Sequence, residues 1–312
     1  MVNANLTFEF LYCFDNKFNT QAFSSIISLL DKVDNLISIN IIHNDEKIST
    51  LFPSKIINHP NLEKLNISNF EDSNINFPNL KNNHVSEATY FRMFIDKYVD
   101  KKVKNIVYID SDIICLKDPT LEITKNIENL RKNKKGIGVI TEKEISSSND
   151  DTFSRLDLKK SYFNAGVMLV DMDLWRERNI ENELMKIMKN NFEKIKFWDQ
   201  DVLNIYFNGD FYELPKNLNF NAFDDSLEND LQNIFFLHFV GSKKPWLTSG
   251  MFNKHSEYYH KNFRKLTDKN YHIEHKWKQA SIFEFIKKII NLNIFQVSKP
   301  ISYFKEFISS LR

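Results

Sequence analysis

Glycine is scarce in this sequence, which contains six glycines among 312 residues. No segment therefore has the spacing of a G-x-G-x-x-G dinucleotide loop or of a Walker A loop, both of which let backbone amides approach phosphates. If the protein binds a diphosphate, a metal ion and cationic side chains must hold it instead.

Cysteines and long apolar runs are also few. Cys13 and Cys115 both lie in apolar, strand-like runs, and two cysteines cannot form a disulfide scaffold. The first residues lack the basic segment and apolar stretch of a secretory signal, and no apolar run approaches the roughly 20 residues of a membrane-spanning helix. These absences favour a reducing compartment and a cytoplasmic protein.

The charge is small overall but unevenly distributed. The net charge is +1, whereas residues 251–312 hold 12 Lys and Arg against 5 Asp and Glu, which leaves residues 1–250 at about −6. An acidic body of this kind does not suit nucleic acid, so we expect no nucleic-acid partner. The basic end of the chain is suited to an anionic surface.

Apolar strand-like runs alternate with helical patterns through the first 240 residues, which predicts an α/β sheet domain. The expected strands cover residues 6–14, 36–43, 105–109, 136–141, 163–170 and 235–239. The expected helices cover residues 21–33, 87–98 and 201–207, with a further helix capped by Asp171. The segment between 44 and 86 contains three prolines and is expected to be irregular, as is the loop 146–151.

A pair of carboxylates follows the buried strand NIVYI: Asp110 and Asp112, separated by Ser111. In open α/β sheets, ligands collect outside the carboxyl ends of the strands, and two carboxylates at such an end can hold a divalent cation. The D-x-D pattern also occurs at 171–173 and 199–201. The string alone therefore leaves a second interpretation, in which these residues are solvated turn carboxylates.

Four further segments occur in order around this carboxylate pair. They are HVSEATYFRMFIDKYV (84–99), YFNAGVMLVDMDLW (162–175), WDQDVLN (198–204) and HFVGSKKPW (238–246). From about residue 6 to 246 the chain resembles glycosyltransferase family 8, a retaining family that includes bacterial lipopolysaccharide galactosyl- and glucosyltransferases. The resemblance implies a GT-A fold, a Rossmann-like, nucleotide-sugar-binding α/β domain with a mixed, mainly parallel central sheet. We expect a catalytic domain over 1–250 and a basic amphipathic helical tail over 251–312.

The resemblance also implies a bound metal. It makes Asp110, Asp112 and His238 the protein ligands of a manganese ion, with magnesium as the alternative metal. Two carboxylates and an imidazole, with positions left for phosphate oxygens, suit manganese better than calcium, which prefers oxygen ligands only. The alternative for His238 is a histidine that is buried on an apolar strand and satisfied there by hydrogen bonds.

A UDP-hexose donor is the next implication. The residues that the resemblance assigns to donor binding are Tyr12, Phe14, Asn16, Arg92, Asp110, Ser111, Asp112, Glu142, Asn164, Gly241 and Lys244. Among them, Lys244 matches the phosphate-binding lysine, and Glu142 matches an acidic position near the transferred sugar. Asn164, together with Asp199 and Gln200, matches the residues that hydrogen-bond this sugar. Phe14 departs from the family, where an acidic group often contacts the uracil, so we expect either that the uracil stacks on Phe14 or Tyr12 or that the base preference differs.

The same resemblance assigns catalysis to Asp199 and Gln200, which match the residues nearest the anomeric carbon. A neutral amide is a poor nucleophile, so we favour front-face attack over a covalent intermediate as the route to retention. Two alternatives differ from a transferase. A haloacid-dehalogenase-like phosphatase also has D-x-D after a buried strand but expects Thr or Val where this chain has Ile114. A non-catalytic carbohydrate-binding protein would have kept the fold without turnover.

The tail has a pattern of its own. Apolar residues recur on one helical face in each of two segments: Ile282, Phe283, Ile286, Ile289 and Ile290, and then Tyr303, Phe304, Phe307, Ile308 and Leu311. Basic amphipathic helices with aromatic residues lie in membrane interfaces and gain from anionic lipid. We therefore predict peripheral contact with the inner face of a membrane through 276–312, and a lipid-linked acceptor. The alternative is that these helices pack on the catalytic domain.

Overall fold

The computed structural model describes residues 8–71, 75–78, 86–146, 151–224 and 231–312. The strands of this part of the chain are β1 Phe8–Cys13, β2 Ile37–His43, β3 Leu62–Asn69, β4 Asn105–Ile109, β5 Ile113–Cys115, β6 Ile137–Lys143, β7 Tyr162–Asp171, β8 Tyr212–Glu213, β9 Phe220–Asn221 and β10 Phe236–His238. Its α-helices are α1 Asn19–Leu30, α2 Ile48–Leu51, α3 Ser54–Ile57, α4 Ile95–Tyr98, α5 Thr120–Lys132, α6 Thr152–Leu156, α7 Met172–Glu177, α8 Ile180–Asn190, α9 Trp198–Phe207, α10 Thr248–Met251, α11 Ser256–Leu266, α12 Lys278–Ile290 and α13 Pro300–Ser310. Short 3-10 helices cover Glu87–Phe94, Phe192–Lys194, Lys216–Leu218, Leu231–Asn233 and Asn293–Gln296.

A seven-stranded sheet forms the centre of the molecule, in the order β3-β2-β1-β4-β7-β6-β8. Strands β3, β2, β1 and β4 are mutually parallel, as are β6 and β8, whereas β7 runs antiparallel to its neighbours β4 and β6. Strand β2, with the sequence ISINIIH, is buried along its whole length, as parallel strands covered on both faces are. The mixed, mainly parallel sheet that the resemblance implies is confirmed.

The sheet has a switch point beside β1, because β2 lies on one side of β1 and β4 on the other. Open α/β sheets bind ligands at such a point, outside the carboxyl ends of the strands. Asp110 follows the carboxyl end of β4, and Asn16 lies a few residues beyond the carboxyl end of β1. The topology therefore brings two predicted donor-binding segments to one edge of the sheet.

A second, three-stranded sheet has the order β5-β10-β9. Strand β5 begins at Ile113, directly after the D-x-D turn, and pairs antiparallel with β10, so that His238 lies opposite Ile113. Strand β9 pairs with the other side of β10, with Asn221 opposite His238. This small sheet therefore places His238 of β10 next to the turn that carries Asp110 and Asp112.

Some elements differ from the sequence prediction. The helix expected over 87–98 is a 3-10 helix over Glu87–Phe94 and becomes α-helical only at Ile95–Tyr98. Six of the eight residues of the 3-10 helix are buried. Its conformation is therefore determined by contacts on several sides and not by one apolar face. Strand β3 lies in the segment expected to be irregular. Its sequence LEKLNISN has no apolar run because it is a partly exposed edge strand. The side chain of Asp171 caps α7, as predicted.

The chain after residue 250 forms helices that pack together and on the residues before them. Tyr303 and Phe307 of α13 are fully buried, and the ring centroid of Phe307 lies 3.9 Å from that of Phe285 on α12. Glu306 accepts a 2.8 Å hydrogen bond from the backbone N–H of Tyr271. The predicted C-terminal helices are therefore present, and part of their apolar surface is buried in a cluster of residues between 251 and 311.

Within the described ranges, none of the helices is both long enough and apolar enough to cross a bilayer. Some predicted segments fall partly outside those ranges. They are the first residues of the strand 6–14, the first two residues of the segment 84–99 and most of the loop 146–151.

Candidate active site

The turn after β4 carries the carboxylate pair. The backbone N–H of Asp110 donates a 2.8 Å hydrogen bond to Gly166 O on β7, which continues the pairing of the two strands into the turn. Asp110 Oδ1 accepts hydrogen bonds from Tyr108 Oη (2.6 Å) and Arg92 Nη1 (3.1 Å). Ser111 is buried in the middle of the turn. Two donors therefore fix the orientation of the Asp110 carboxylate.

His238, the last residue of β10, joins this pair. One ligand atom from each of Asp110, Asp112 and His238 lies within 4.8 Å of the others, and His238 Nε2 is 3.3 Å from Asp112 Oδ1. Gly166 makes the approach possible, since a Cβ atom there would lie 2.3 Å from His238 Cε1 and 2.7 Å from Nδ1. Any side chain at this position would displace the imidazole.

The three side chains fit the predicted metal. Two carboxylates and an imidazole converge closely enough for one ion to reach an atom of each. An imidazole in the set argues against calcium, which takes oxygen ligands. The other ring nitrogen, His238 Nδ1, lies 2.8 Å from Asn219 Oδ1, and metal-ligating histidines almost always have their second nitrogen held in this way.

Lys244 forms an ion pair with Asp112. Lys244 Nζ donates hydrogen bonds to Asp112 Oδ2 and, at 2.7 Å, to Phe239 O. Burial acts to raise the pKa of Asp112, but Lys244 and His238 together outweigh it and hold this pKa well below its ordinary value. Asp112 is therefore an ionised carboxylate shared by two basic side chains.

Two glycines shape the segment that carries Lys244. A Cβ atom at Gly250 would lie 2.2 Å from Lys244 O, so the turn closes only around a glycine. Gly241 has φ +80°, a conformation that glycine adopts without strain, and a Cβ atom there would have no neighbour within 4 Å. The backbone at Gly241 is thus open to close approach by a ligand.

Arg92 and Asp199 form a buried ion pair next to Asp110. Arg92 Nε and Nη2 donate to the two carboxylate oxygens of Asp199, and Nη1 donates to Asp110 and, at 2.6 Å, to Ala165 O. The guanidinium carbon lies 4.5 Å from the ring centroid of Tyr108. Asp199 is 1% exposed, and burial raises its pKa to about 6 against the lowering influence of Arg92. Both oxygens of the Asp199 carboxylate are therefore paired with Arg92.

Gln200, Glu142 and Asn164 form one hydrogen-bonded group. Glu142 Oε2 accepts from Asn164 Nδ2 (3.0 Å) and from Gln200 Nε2 (3.3 Å). Gln200 Oε1 accepts from the backbone N–H of Ala165 (3.0 Å), and Nε2 also donates to Tyr162 Oη (3.1 Å). The sequence predicted that Glu142 follows the strand, but in the structure it lies within β6. The structure thus brings together three of the four residues that the resemblance assigns to the sugar, while the fourth, Asp199, is paired with Arg92.

Asn219 is a site residue that sequence reasoning missed. Its Nδ2 donates to Asn164 Oδ1 (2.9 Å), and its Oδ1 faces His238 Nδ1. It lies in none of the four recognised segments, and its position depends on the pairing of β9 with β10. Tyr108 was also missed, although its place two residues before Asp110 on β4 was a usable signal, since alternate strand residues share one face.

The two aromatic residues expected to stack on the base are enclosed in the core instead. Tyr12 is fully buried and accepts a 3.3 Å hydrogen bond from Ser25 Oγ. Phe14 is also buried, with its ring edge-on to that of His43. Both rings face the packed side of β1, so neither is placed to stack on a base. Asn16, in contrast, is exposed beyond the carboxyl end of β1.

The fold and the site together define a GT-A glycosyltransferase, with a mixed α/β sheet, a D-x-D turn at its switch point, and a histidine that returns to this turn. A model of glycosyl transferase family 8 matches residues 5–250, and the chain belongs to this family.

Comparison with individual proteins supports this family assignment. The chain is 29% identical over 175 residues to lipopolysaccharide 1,3-galactosyltransferase of Salmonella typhimurium, covering 53% of this chain and 51% of the relative. It is 24% identical over 174 residues to lipopolysaccharide 1,2-glucosyltransferase of Escherichia coli, covering 52% and 49%. The chain thus spans about half the length of these curated relatives. The crystal structure of the galactosyltransferase LgtC with donor and acceptor sugar analogues has the same fold, with a TM-score of 0.68, 18% identity, and coverage of 88% of this chain and 99% of LgtC. The phosphatase and the non-catalytic alternatives receive no support.

Proposed function

We propose that this chain is a metal-dependent, retaining glycosyltransferase that moves glucose or galactose from a UDP-sugar to a glycan or glycolipid acceptor of the lipopolysaccharide type. The observation that carries the proposal is the convergence of Asp110, Asp112 and His238 beside Lys244 at the switch point of the sheet. A diphosphate donor needs positive charge at its binding site. In a chain without a glycine-rich phosphate loop, a metal and side-chain cations must supply it.

The leaving group is a nucleoside diphosphate, whose charge grows as the glycosidic bond breaks. A manganese ion held by Asp110, Asp112 and His238 would neutralise part of that charge. Lys244 and Arg92 are the protein's own cations at this place. Arg92 is fixed by hydrogen bonds to two carboxylates and a carbonyl, so its positive charge is in position before the donor binds.

The sugar faces the group formed by Gln200, Glu142 and Asn164, whose amides and carboxylate can pair with hydroxyls. The Gln200 amide is neutral, and its Oε1 already accepts a hydrogen bond from the backbone N–H of Ala165. It is therefore poorly suited to attack the anomeric carbon. We infer front-face attack, in which the acceptor hydroxyl bonds to the anomeric carbon on the side that the diphosphate leaves, and a departing phosphate oxygen takes the hydroxyl proton.

The test is a donor-hydrolysis screen, since many transferases slowly hydrolyse their donor without an acceptor. UDP-glucose, UDP-galactose and sugar donors with other bases are incubated with the protein and manganese, with and without a chelator. We expect chelator-sensitive hydrolysis of a UDP-hexose, abolished in Asp112→Asn and retained in Asp173→Asn. Asp173 is the matched control because it is an exposed carboxylate in the D-x-D string at 171–173. The proposal is overturned if the chelator does not reduce hydrolysis, or if the protein hydrolyses none of the donors.

We also propose that α12 and α13 rest on an anionic membrane at its inner face, so that the acceptor is lipid-linked. These two helices bury Phe285, Tyr303 and Phe307 but leave other large apolar residues uncovered, with Phe283 75% and Ile290 73% exposed. The uncovered apolar residues are Trp277, Ile282, Phe283, Ile286, Ile290, Leu292, Phe295, Ile301, Phe304 and Ile308. Exposed lysines lie between them, including Lys287 and Lys305. Uncovered apolar side chains flanked by positive charge match the requirements of an anionic lipid surface.

Vesicle sedimentation tests this surface. The double variant Phe283→Glu, Ile290→Glu should lose most binding to vesicles of mixed anionic and neutral lipid while donor hydrolysis is unchanged. Leu121→Glu is the matched control, since Leu121 is 78% exposed on α5, far along the chain from the tail. Equal binding of both variants overturns the membrane contact. So does a concentration-dependent dimer that the double variant abolishes, because a second copy would then cover the same surface.

A further inference from the structure

Two amide side chains connect the backbone of β7 to the imidazole of His238. The backbone N–H of Gly166 donates to Asn164 Oδ1 at 3.0 Å, and Asn164 Nδ2 donates to Glu142 Oε2 at the same distance. Asn164 Oδ1 also accepts from Asn219 Nδ2 at 2.9 Å, and Asn219 Oδ1 lies 2.8 Å from His238 Nδ1. The connection is short and largely buried.

The direction of every hydrogen bond in this series follows from the first one, between Gly166 and Asn164. A backbone N–H can only donate, so the atom of Asn164 that faces Gly166 must be the amide oxygen. That oxygen can only accept, so Asn219 must present its NH₂ group to it. The oxygen of Asn219 then faces His238, and Nδ1 of the imidazole must carry a hydrogen to donate. A backbone amide on β7 thus determines which nitrogen of His238 bears the proton.

We propose that Asn219 is a positioning residue that keeps the hydrogen of neutral His238 on Nδ1 and so directs the Nε2 lone pair to the metal. This inference rests on the proposed metal site. Nε2 is the ring nitrogen on the side of the carboxylates, 3.3 Å from Asp112 Oδ1. Without an acceptor at Nδ1, the hydrogen can move to Nε2, and a nitrogen that carries a hydrogen cannot be a ligand. Because Asn219 also holds Asn164, one side chain sets both the metal ligand and a residue of the sugar group.

The first test needs no metal. The ¹⁵N NMR shifts of the imidazole nitrogens in metal-free protein, recorded at a pH high enough for the imidazole to be neutral, report which of them carries the hydrogen. We expect the hydrogen of His238 on Nδ1 in the unmodified protein and in Asn219→Asp, which keeps an oxygen acceptor. In Asn219→Leu, which has a similar volume and no acceptor, we expect a mixture of both tautomers. The hydrogen on Nε2 in the unmodified protein, or an unchanged tautomer in Asn219→Leu, overturns the inference.

The second test measures Mn²⁺ affinity by calorimetry. Loss of the group that orients a ligating histidine typically lowers metal affinity about 10- to 100-fold, so Asn219→Leu should show a decrease of this size. Asn219→Asp should bind Mn²⁺ within about threefold of the unmodified protein while its transfer rate falls, because Asn164 loses its donor. Asn217→Leu is the matched control. Asn217 lies in the adjacent 3-10 helix, and within the described residues its Oδ1 has no hydrogen-bond partner.

The two variants separate the possible failures. A large loss of Mn²⁺ affinity in Asn219→Asp overturns the inference even if Asn219→Leu does not fold, as does full affinity in a folded Asn219→Leu. If the unmodified protein does not bind Mn²⁺ at all, the proposed function fails. The NMR result then still decides the tautomer.

Discussion

Lys244 Nζ donates a hydrogen bond to Asp112 Oδ2, so a protein cation lies on a carboxylate that is predicted to hold the metal. A metal that binds there without nucleotide must compete with this lysine. When a donor is bound, the same lysine can move to the diphosphate. Lys244 is therefore expected to oppose metal binding in one state and to favour nucleotide binding in the other.

Lys244→Met should consequently have effects of opposite sign. Affinity for Mn²⁺ alone should rise on the order of tenfold, since a hydrogen bond to a charged group contributes about 1.5–3 kcal/mol and the competitor is removed. Affinity for UDP in the presence of Mn²⁺ should fall, because the diphosphate loses a cation. Calorimetry measures both, with the exposed neighbour Lys243→Met as the control. Weaker binding of Mn²⁺ alone would show that Lys244 supports the metal site directly.

Gly166→Ala should disrupt the metal site. The new Cβ atom would lie 2.3 Å from His238 Cε1, so the imidazole must move away from the carboxylates. We expect Mn²⁺ affinity to fall at least tenfold and the protein to be destabilised by about 1–3 kcal/mol, the usual cost of overpacking. Gly136→Ala is the comparison, because its Cβ atom would meet ordinary contacts at 3.6 Å. Equal Mn²⁺ affinity in the two variants would mean that His238 is not held where the metal binds.

Asp199→Asn should slow transfer while leaving UDP affinity within a few-fold. The variant removes the negative charge that holds Arg92, and a small displacement of a positioning group can cost about 100-fold in rate. Steady-state kinetics and UDP calorimetry check the two parts. A variant with normal turnover would reduce Asp199 to a buried structural partner of Arg92.

The transfer rate of the unmodified enzyme should fall as pH drops through about 6. Burial raises the pKa of Asp199 to about 6, and protonation below that pH weakens its ionic bond to Arg92. The other groups that act on Asp199 are Asp110, Tyr90 and Cys13. The pKa values of Tyr90 and Cys13 are raised by burial, so both remain neutral in this range. A turnover number that is flat between pH 5 and 7 would contradict this role.

His260 should make stability depend on pH. Its Nε2 donates to Pro245 O at 3.0 Å, and burial lowers its pKa to about 3. The unfolded chain takes up this proton near pH 6.5, whereas the folded protein does so only near pH 3. Stability is therefore fully present above pH 6.5 and is lost progressively as pH falls towards 3.

The change can be isolated with His260→Gln, which keeps a donor for Pro245 O. Between pH 7.5 and 5 the unmodified protein should lose about 2 kcal/mol more unfolding free energy than this variant, because the unfolded state takes up one additional proton. Urea unfolding at the two pH values measures the difference. An equal pH dependence in the two proteins would mean that His260 is protonated in the folded state as well.

Local sequence determined most of the fold and the first half of the site. A buried run such as NIVYI forms a strand wherever it is covered on both faces, and polar residues at its carboxyl end then lie at the ligand-binding edge. The position of Asp110 and Asp112 at that edge could therefore be predicted from adjacent residues, whereas their choice among three D-x-D strings came from the resemblance to the family. The sheet class and the capping role of Asp171 followed in the same way, since each depends on residues that are close together in the chain.

Tertiary structure decided what depends on residues that are distant in sequence. Asn219 reaches Asn164 and His238 only because β9 and β10 pair beside the main sheet, and no spacing in the sequence encodes that meeting. The burial of Tyr12 was likewise invisible, because strand alternation shows two faces without telling which one meets solvent. In the tail, periodicity predicted helices that each have one apolar face, including Phe283 and Phe307, but not that Phe307 would be covered together with Phe285 while Phe283 stayed exposed. Packing makes that choice, because only some of the apolar side chains can be covered by the rest of the chain.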